Sequence, residues 1–230
     1  MEKSMITLRK SAERGYSDWG WLQAKYSFSF ARYYNPEFMG FHALRVINED
    51  IIGKGRGFDT HPHKDMEIIS FIVEGALEHK DTMGHHTKIT PGTIQIMTAG
   101  TGVMHSEFNP NQDQDTHSIQ IWIEPKEKGL EPAYSSFEFA STAKVNHLNL
   151  IASGNKDENV GHINQDARIY FLDMQDFKIE LVESRYWLQL IDGSAEISGH
   201  NIESGDGVAV ELEKLEIKNG HGKALLFELC

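Results

Sequence analysis

Apolar and polar positions in this chain trade places in short runs, and glycine or proline breaks the runs apart. Residues 66–74, Met-Glu-Ile-Ile-Ser-Phe-Ile-Val-Glu, form a β-rich run that stops at Gly75, and residues 76–80 continue it to a turn at Asp81-Thr-Met-Gly84. Residues 94–97 follow Pro91-Gly92 as another short strand, and in 117–123 Ile119, Ile121 and Ile123 share one face. Residues 124–143, with Pro125, Gly129 and Pro132, break the rhythm and are expected to be a connector. Strand signals return at 168–173, 177–182, 186–190, 195–198, 207–210 and 224–229, with Asp192-Gly193 expected as a turn and 155–166 as a loop. No helix is strongly signalled. The pattern predicts an all-β chain of two antiparallel barrels or sandwiches, residues 1–135 and 136–230, joined near 124–143.

Composition narrows the class. Apolar residues are 40% and charged residues 24% of 230, an ordinary globular balance. No apolar run approaches the roughly 20 residues of a spanning helix, and the start lacks the apolar stretch of a signal peptide, so a cytoplasmic protein without a membrane partner is expected. The single cysteine, Cys230, excludes an internal disulfide framework and is expected to be inert. Net charge is −12, with 14 basic and 18 acidic residues before position 136 and 8 and 16 after it. That balance argues against direct nucleic-acid binding, which needs basic surface.

Histidine carries the chemistry. Eight of the 12 fall between His42 and His117. In His61-Pro-His63 the spacing puts two imidazoles on the same side of a strand. Taken alone, the pair reads equally well as two solvated histidines. His105-Ser-Glu107 repeats the parity 42 residues after His63, behind the glycine-rich turn Gly100-Thr-Gly102. Convergence of the two pairs across a barrel would offer three imidazoles and one carboxylate, a set suited to Fe, Ni, Mn, Co or Zn with positions left open. Glu67 is either a group that orients a ligand histidine or a solvated strand residue. His85-His86 is expected to be a solvated turn, and Trp19, Trp21, Phe28, Phe30 and Phe41 either line a pocket or fill a core.

The spacing of Gly55, His61-Pro-His63, Glu67 and Gly75, and of Gly92, His105 and Asn109, resembles the two cupin motifs. It departs from them in a late Gly75, Thr98 in place of a proline, and a stretched Gly100–His105 gap. The segments Gly57-Phe-Asp-Thr-His-Pro-His-Lys-Asp-Met-Glu67, Met97-Thr-Ala-Gly-Thr-Gly-Val-Met-His-Ser-Glu107 and Ser27-Phe-Ser-Phe-Ala-Arg-Tyr-Tyr34 resemble the pirin family over essentially the whole chain. That resemblance implies a bicupin in which His61, His63, His105 and Glu107 hold one divalent transition metal ion, while Glu67 does not. It implies no metal in the second domain, where His200 and His221 stand alone. Some bacterial relatives of this kind are quercetin 2,3-dioxygenases. The resemblance therefore implies O₂-dependent cleavage of a flavonol ring with release of carbon monoxide, and Glu107, the one anionic group of the set, is the expected catalytic base. The alternative it implies is a non-enzymatic, metal-binding regulatory partner of another protein.

Overall fold

The computed structural model describes residues 5–229, so Cys230 lies outside the described residues. In chain order the strands are β1 (Met5–Arg9), β2 (Gly15–Asp18), β3 (Leu22–Tyr26), β4 (Leu44–Ile52), β5 (Gly57–His63), β6 (Glu67–Glu74), β7 (Leu77–Asp81), β8 (His86–Ile89) and β9 (Thr93–Thr98). They continue as β10 (Val103–Phe108), β11 (Thr116–Ile123), β12 (Ala133–Glu138), β13 (Asn149–Ser153), β14 (Gly161–His162), β15 (Ala167–Ile197), β16 (His200–Glu203) and β17 (Gly207–Leu229). A single 3₁₀ turn, Ser11–Glu13, is the only helical element among the described residues, and none is long and apolar enough to cross a membrane. The chain is a bicupin of two antiparallel β units, as the strand rhythm predicts.

The first unit comprises Gly15–Ser141 and Gly161–Gln165. A seven-stranded sheet, ordered β12-β9-β6-β11-β4-β3-β2, and a four-stranded sheet, ordered β5-β10-β7-β8, build it. β6 lies inside the large sheet, which is why its run Glu67–Ile72 is buried without alternation. A cluster of Leu22, Ala24, Tyr26, Ile52 and Ile72 from the large sheet meets Leu77 and Ile89 from the small one. Each such aliphatic side chain contributes about 1.5–3 kcal/mol by leaving water.

Among the described residues the second unit comprises 5–14, Thr142–Val160 and 166–229. The order is β1-β17-β15-β13, with β16 added to β15. Its interior is aliphatic, with Leu172, Leu188, Leu190, Ile197, Val208, Val210, Leu215, Ile217 and Leu226 all buried.

The division therefore differs from the contiguous split at 135/136 in three places, the simplest being residues 136–141, which stay with the first unit. The N-terminal strand pairs with β17, from Met5↔Glu211 to Arg9↔Gly207, and buries Arg9. Gly161–Gln165 is folded into the first unit because Asn164 donates to the buried Glu67 through its backbone N–H at 3.1 Å and through its side-chain amide. The expected connector contains β12, a half-exposed edge strand whose Ser135 and Ser136 hide its periodicity. The expected turn at Asp192-Gly193 instead lies within the 31-residue β15. There Gly193 (φ +90°) faces Gly222 (φ +93°) across the β15–β17 ladder. A Cβ on Gly193 would sit 2.0 Å from the His221 carbonyl oxygen, and one on Gly222 would sit 2.2 Å from that of Asp192. Glycine serves backbone approach here, not chain reversal.

Gly193→Ala should therefore cost about 2–4 kcal/mol in chemical unfolding, combining left-handed strain with a backbone collision. Gly199→Ala, at φ +84° with nothing within 4 Å, should cost only about 1–2 kcal/mol. Equal losses would show that close approach is not what selects glycine at position 193.

Candidate metal centre

The small sheet places three residue pairs of i, i+2 spacing on neighbouring strands. On β10, His105 lies opposite His61 of β5 on one side and Asp81 of β7 on the other, and Glu107 lies opposite His79. Period-two geometry turns the members of each pair to the same face. β5 and β10 approach so closely at Gly57 that a Cβ there would meet the Glu107 carbonyl oxygen at 2.2 Å. The register also shifts between His105 and Glu107, a bulge that re-aims side chains.

The imidazoles of His61, His63 and His105 pack with ring centres 4.5–4.8 Å apart. One ring nitrogen from each lies within 4.8 Å of the others. His61 Nδ1 is 2.7 Å from its own strand's Asp59 carbonyl, which can only accept, so that nitrogen carries a proton and Nε2 is the atom turned toward the cluster. His61 Nε2 lies 3.1 Å from His105 Nε2, and His63 Nε2 is buried with no hydrogen-bond partner. Burial, reinforced by the neighbouring imidazoles, pushes the pKa of both His63 and His105 down to about 3. For His63 the repulsion comes from His105 and His61 and is partly offset by Glu107. For His105 it comes from His61 and His79 and is partly offset by Asp81. Three imidazoles aimed at one point, two of them kept neutral by burial and one with an orphaned nitrogen, fit a metal ion.

Glu107 is buried beside this group. Its carboxylate accepts from Ser70 Oγ at 2.9 Å and from Gln120 Nε2 at 3.0 Å, and Trp122 Nε1 donates to Gln120 Oε1 at 3.1 Å. Glu107, His79 and His105 form a second set with ligand atoms within 4.8 Å. Hydrogen bonds already engage that set: His79 Nδ1 is 3.2 Å from Gln95 Nε2 and 3.3 Å from His105 Nδ1.

Comparison with known proteins bears on both units. The Pirin family profile matches residues 7–123, and a profile described as the quercetinase C-terminal cupin domain matches residues 150–229. The chain belongs to the pirin family. This pirin is 42% identical to a quercetin 2,3-dioxygenase of Escherichia coli K12, over 98% of the chain and 99% of that protein. It is 35% identical to a pirin-like protein of Caulobacter vibrioides, over 91% and 92%. The crystal structure of the bacterial pirin YhhW from Escherichia coli in complex with nickel(II) superposes with a TM-score of 0.91 at 41% identity, covering 98% of this chain and 99% of that one.

In this pirin a pocket of about 410 Å³ opens beside His61 and His63. Trp19, Trp21, Tyr26, Phe30, Phe58 and Trp122 supply its aromatic wall. Trp122 stands edge-on to His63 with centres 5.0 Å apart. The volume falls in the range typical of small-molecule sites. Of the five aromatic residues singled out in the sequence, Trp19, Trp21 and Phe30 line it, Phe28 is core, and Phe41 packs on His42.

Glu67 fits neither expectation. It is buried, accepts from Thr98 Oγ1 at 3.0 Å and from Asn164, and is held above the usual carboxylate range by burial against those bonds. Its partners tie chain segments together and include no ligand histidine. His85 stacks on Tyr134 and bonds Asp81, and His86 bonds Glu78, so both turn histidines are tied as well as partly solvated. His200 and His221 are exposed, and among the described residues no group of three metal-capable side chains forms in the second unit. Sequence reasoning missed His79 and Asp81, whose His-x-Asp spacing repeats the parity of the other two pairs. It also missed the buried Ser70, Gln95 and Asn48, which carry no motif.

The lowered histidine pKa values set a pH dependence. An unfolded imidazole titrates near 6.5, so between about 6.5 and 3 the unfolded chain binds more protons than the folded one. Stability of the metal-free protein should therefore fall as pH drops through that window. Thermal unfolding at pH 7.5 and pH 5 should show the loss, and His63→Gln should flatten the slope. A slope unchanged in that variant would count against a buried neutral His63.

Proposed function

We propose that this protein is a metal-dependent dioxygenase that cleaves a flavonol of the quercetin type with O₂, releasing carbon monoxide. The observation that carries the reading is the convergence of three imidazoles on the wall of an aromatic pocket. The quercetin 2,3-dioxygenase relative and the nickel(II) complex of YhhW support it. His61, His63 and His105 would hold one divalent transition metal ion, with Glu107 as the fourth ligand and the catalytic base. When bound, the ion supplies a Lewis acid that lowers the pKa of a substrate hydroxyl and orients it.

The chain's own residues supply the rest. Trp21, Phe58 and Trp122 offer flat apolar faces to a planar polyphenol. The same walls keep water from the oxidation. Glu107 would receive the hydroxyl proton on a carboxylate oxygen, with Ser70 and Gln120 holding the group in place. Each carboxylate oxygen accepts one of these bonds and keeps a second lone pair for a proton or a ligand position, so Glu107 has both roles open to it while Ser70 and Gln120 hold it.

Nickel(II)-loaded protein should consume oxygen with quercetin and evolve carbon monoxide. Metal bound without turnover would favour the role of a metal-binding regulatory partner. His63→Ala should cut metal content sharply, whereas His200→Ala and His221→Ala should not. Glu107→Gln keeps size but loses basicity. It should retain part of the metal while kcat per bound metal falls at least about 100-fold. Parent-like turnover per metal in Glu107→Gln would remove Glu107 as the base.

A further inference from the structure

We propose that Asp81 and His79 are positioning residues that fix His105 in the tautomer whose Nε2 lone pair faces the ion. This rests on the metal-centre reading above and extends it to two residues that touch neither ion nor substrate. The chain of donors can be followed atom by atom. Asp81 is a fully buried carboxylate. Its Oδ1 accepts the backbone N–H groups of Met83 at 2.9 Å and His85 at 3.0 Å, and its Oδ2 accepts His85 Nδ1 at 2.9 Å. The same Oδ2 lies 3.1 Å from His79 Nε2. A carboxylate so placed only accepts, so His79 Nε2 carries its proton.

The other face of His79 is constrained independently. Tyr134 donates its hydroxyl to Gln95 Oε1 at 3.4 Å, which turns the Gln95 amide N–H toward His79 Nδ1 at 3.2 Å. His79 Nδ1 is therefore an acceptor from both directions. His105 Nδ1, 3.3 Å away, must be the donor in that contact, and its proton cannot be on Nε2 in the neutral ring. The freed lone pair on His105 Nε2 is the one that lies 3.1 Å from His61 Nε2. The carboxylate that usually orients a metal-bound histidine directly here acts through a second imidazole. The register makes this possible, because β7 places Asp81 opposite His105 and His79 opposite Glu107.

Imidazole ¹H–¹⁵N NMR spectra of the metal-free protein test the tautomers, and nickel(II) titration tests their purpose. The parent should show His105 protonated at Nδ1 and His79 at Nε2. Asp81→Asn can turn an amide N–H toward His79 Nε2 and should reverse both tautomers. His79→Leu leaves the Asp81 turn in place, removes the acceptor, and should leave His105 without one fixed tautomer. Both variants should bind nickel(II) about 10–100-fold more weakly. His79→Gln, which can offer a carbonyl to His105 Nδ1, should recover part of that loss. A parent His105 protonated at Nε2 overturns the proposal. So do variants that bind nickel(II) like the parent. A parent that fails to bind nickel(II) while His105 is protonated at Nδ1 is a separate outcome, and it overturns the metal-centre reading itself.

Discussion

Imidazole is the constraint around which the first unit is arranged. A buried ring must be neutral, and a neutral ring has one nitrogen that donates and one that accepts. Packing three of them with centres under 5 Å apart is eased where a donor nitrogen finds an acceptor away from the cluster. His61 uses the carbonyl of Asp59 on its own strand, and His105 uses His79 across the ladder. The small sheet must therefore hold its register to the residue. A slip of one position would turn every one of these side chains to the opposite face. Gly57 and the bulge at His105–Glu107 are where the backbone meets that demand.

The two units show what happens when the demand is absent. Interior positions of the second unit carry Leu188, Leu190, Val208, Val210 and Leu226, and apolar transfer stabilises that cluster. The first unit gives up part of that term. It buries His79, His105, Glu107, Gln95 and Ser70 fully or nearly so, and each must be satisfied by another of the set. Such a network is stable when complete and costly when broken at one point. The second unit has its own backbone demand, at Gly193 and Gly222, which face each other at positive φ across the β15–β17 ladder.

Much of this was legible in residue spacing. His61-Pro-His63 and His105-Ser-Glu107 announce their parity, and the all-β class follows from short runs between glycines. What spacing does not contain is cross-strand register, and the rest of the site depends on it. Asp81 was read only as the start of a turn, which it is, since its Oδ1 takes two turn amides. It is also the last residue of β7, with its second oxygen pointed inward at His79, and one sequence position seldom advertises both duties. Segment 5–14 and the pentapeptide 161–165 escaped assignment for a related reason. Their places are set by Asp206, which accepts from Lys10 and the Ser11 amide, and by Glu67, both distant in sequence. The turn reading of Asp192-Gly193 failed because positive φ serves a close approach as well as a hairpin.

The line from Trp122 to Glu107 joins the pocket to the chemistry. Trp122 forms part of the aromatic wall, stands against His63, and donates its indole N–H to Gln120. Gln120 lines the same pocket and passes a hydrogen bond to Glu107 Oε2. The carboxylate is thus oriented from the side on which a ligand would rest, while Ser70 of the large sheet fixes its other oxygen. On the opposite side of His105, the Asp81–His79 pair belongs to the small sheet alone. The carboxylate is therefore oriented from the large sheet and His79 from both, through Asp81 of the small sheet and Gln95 of the large one, and the site exists only where the two faces meet.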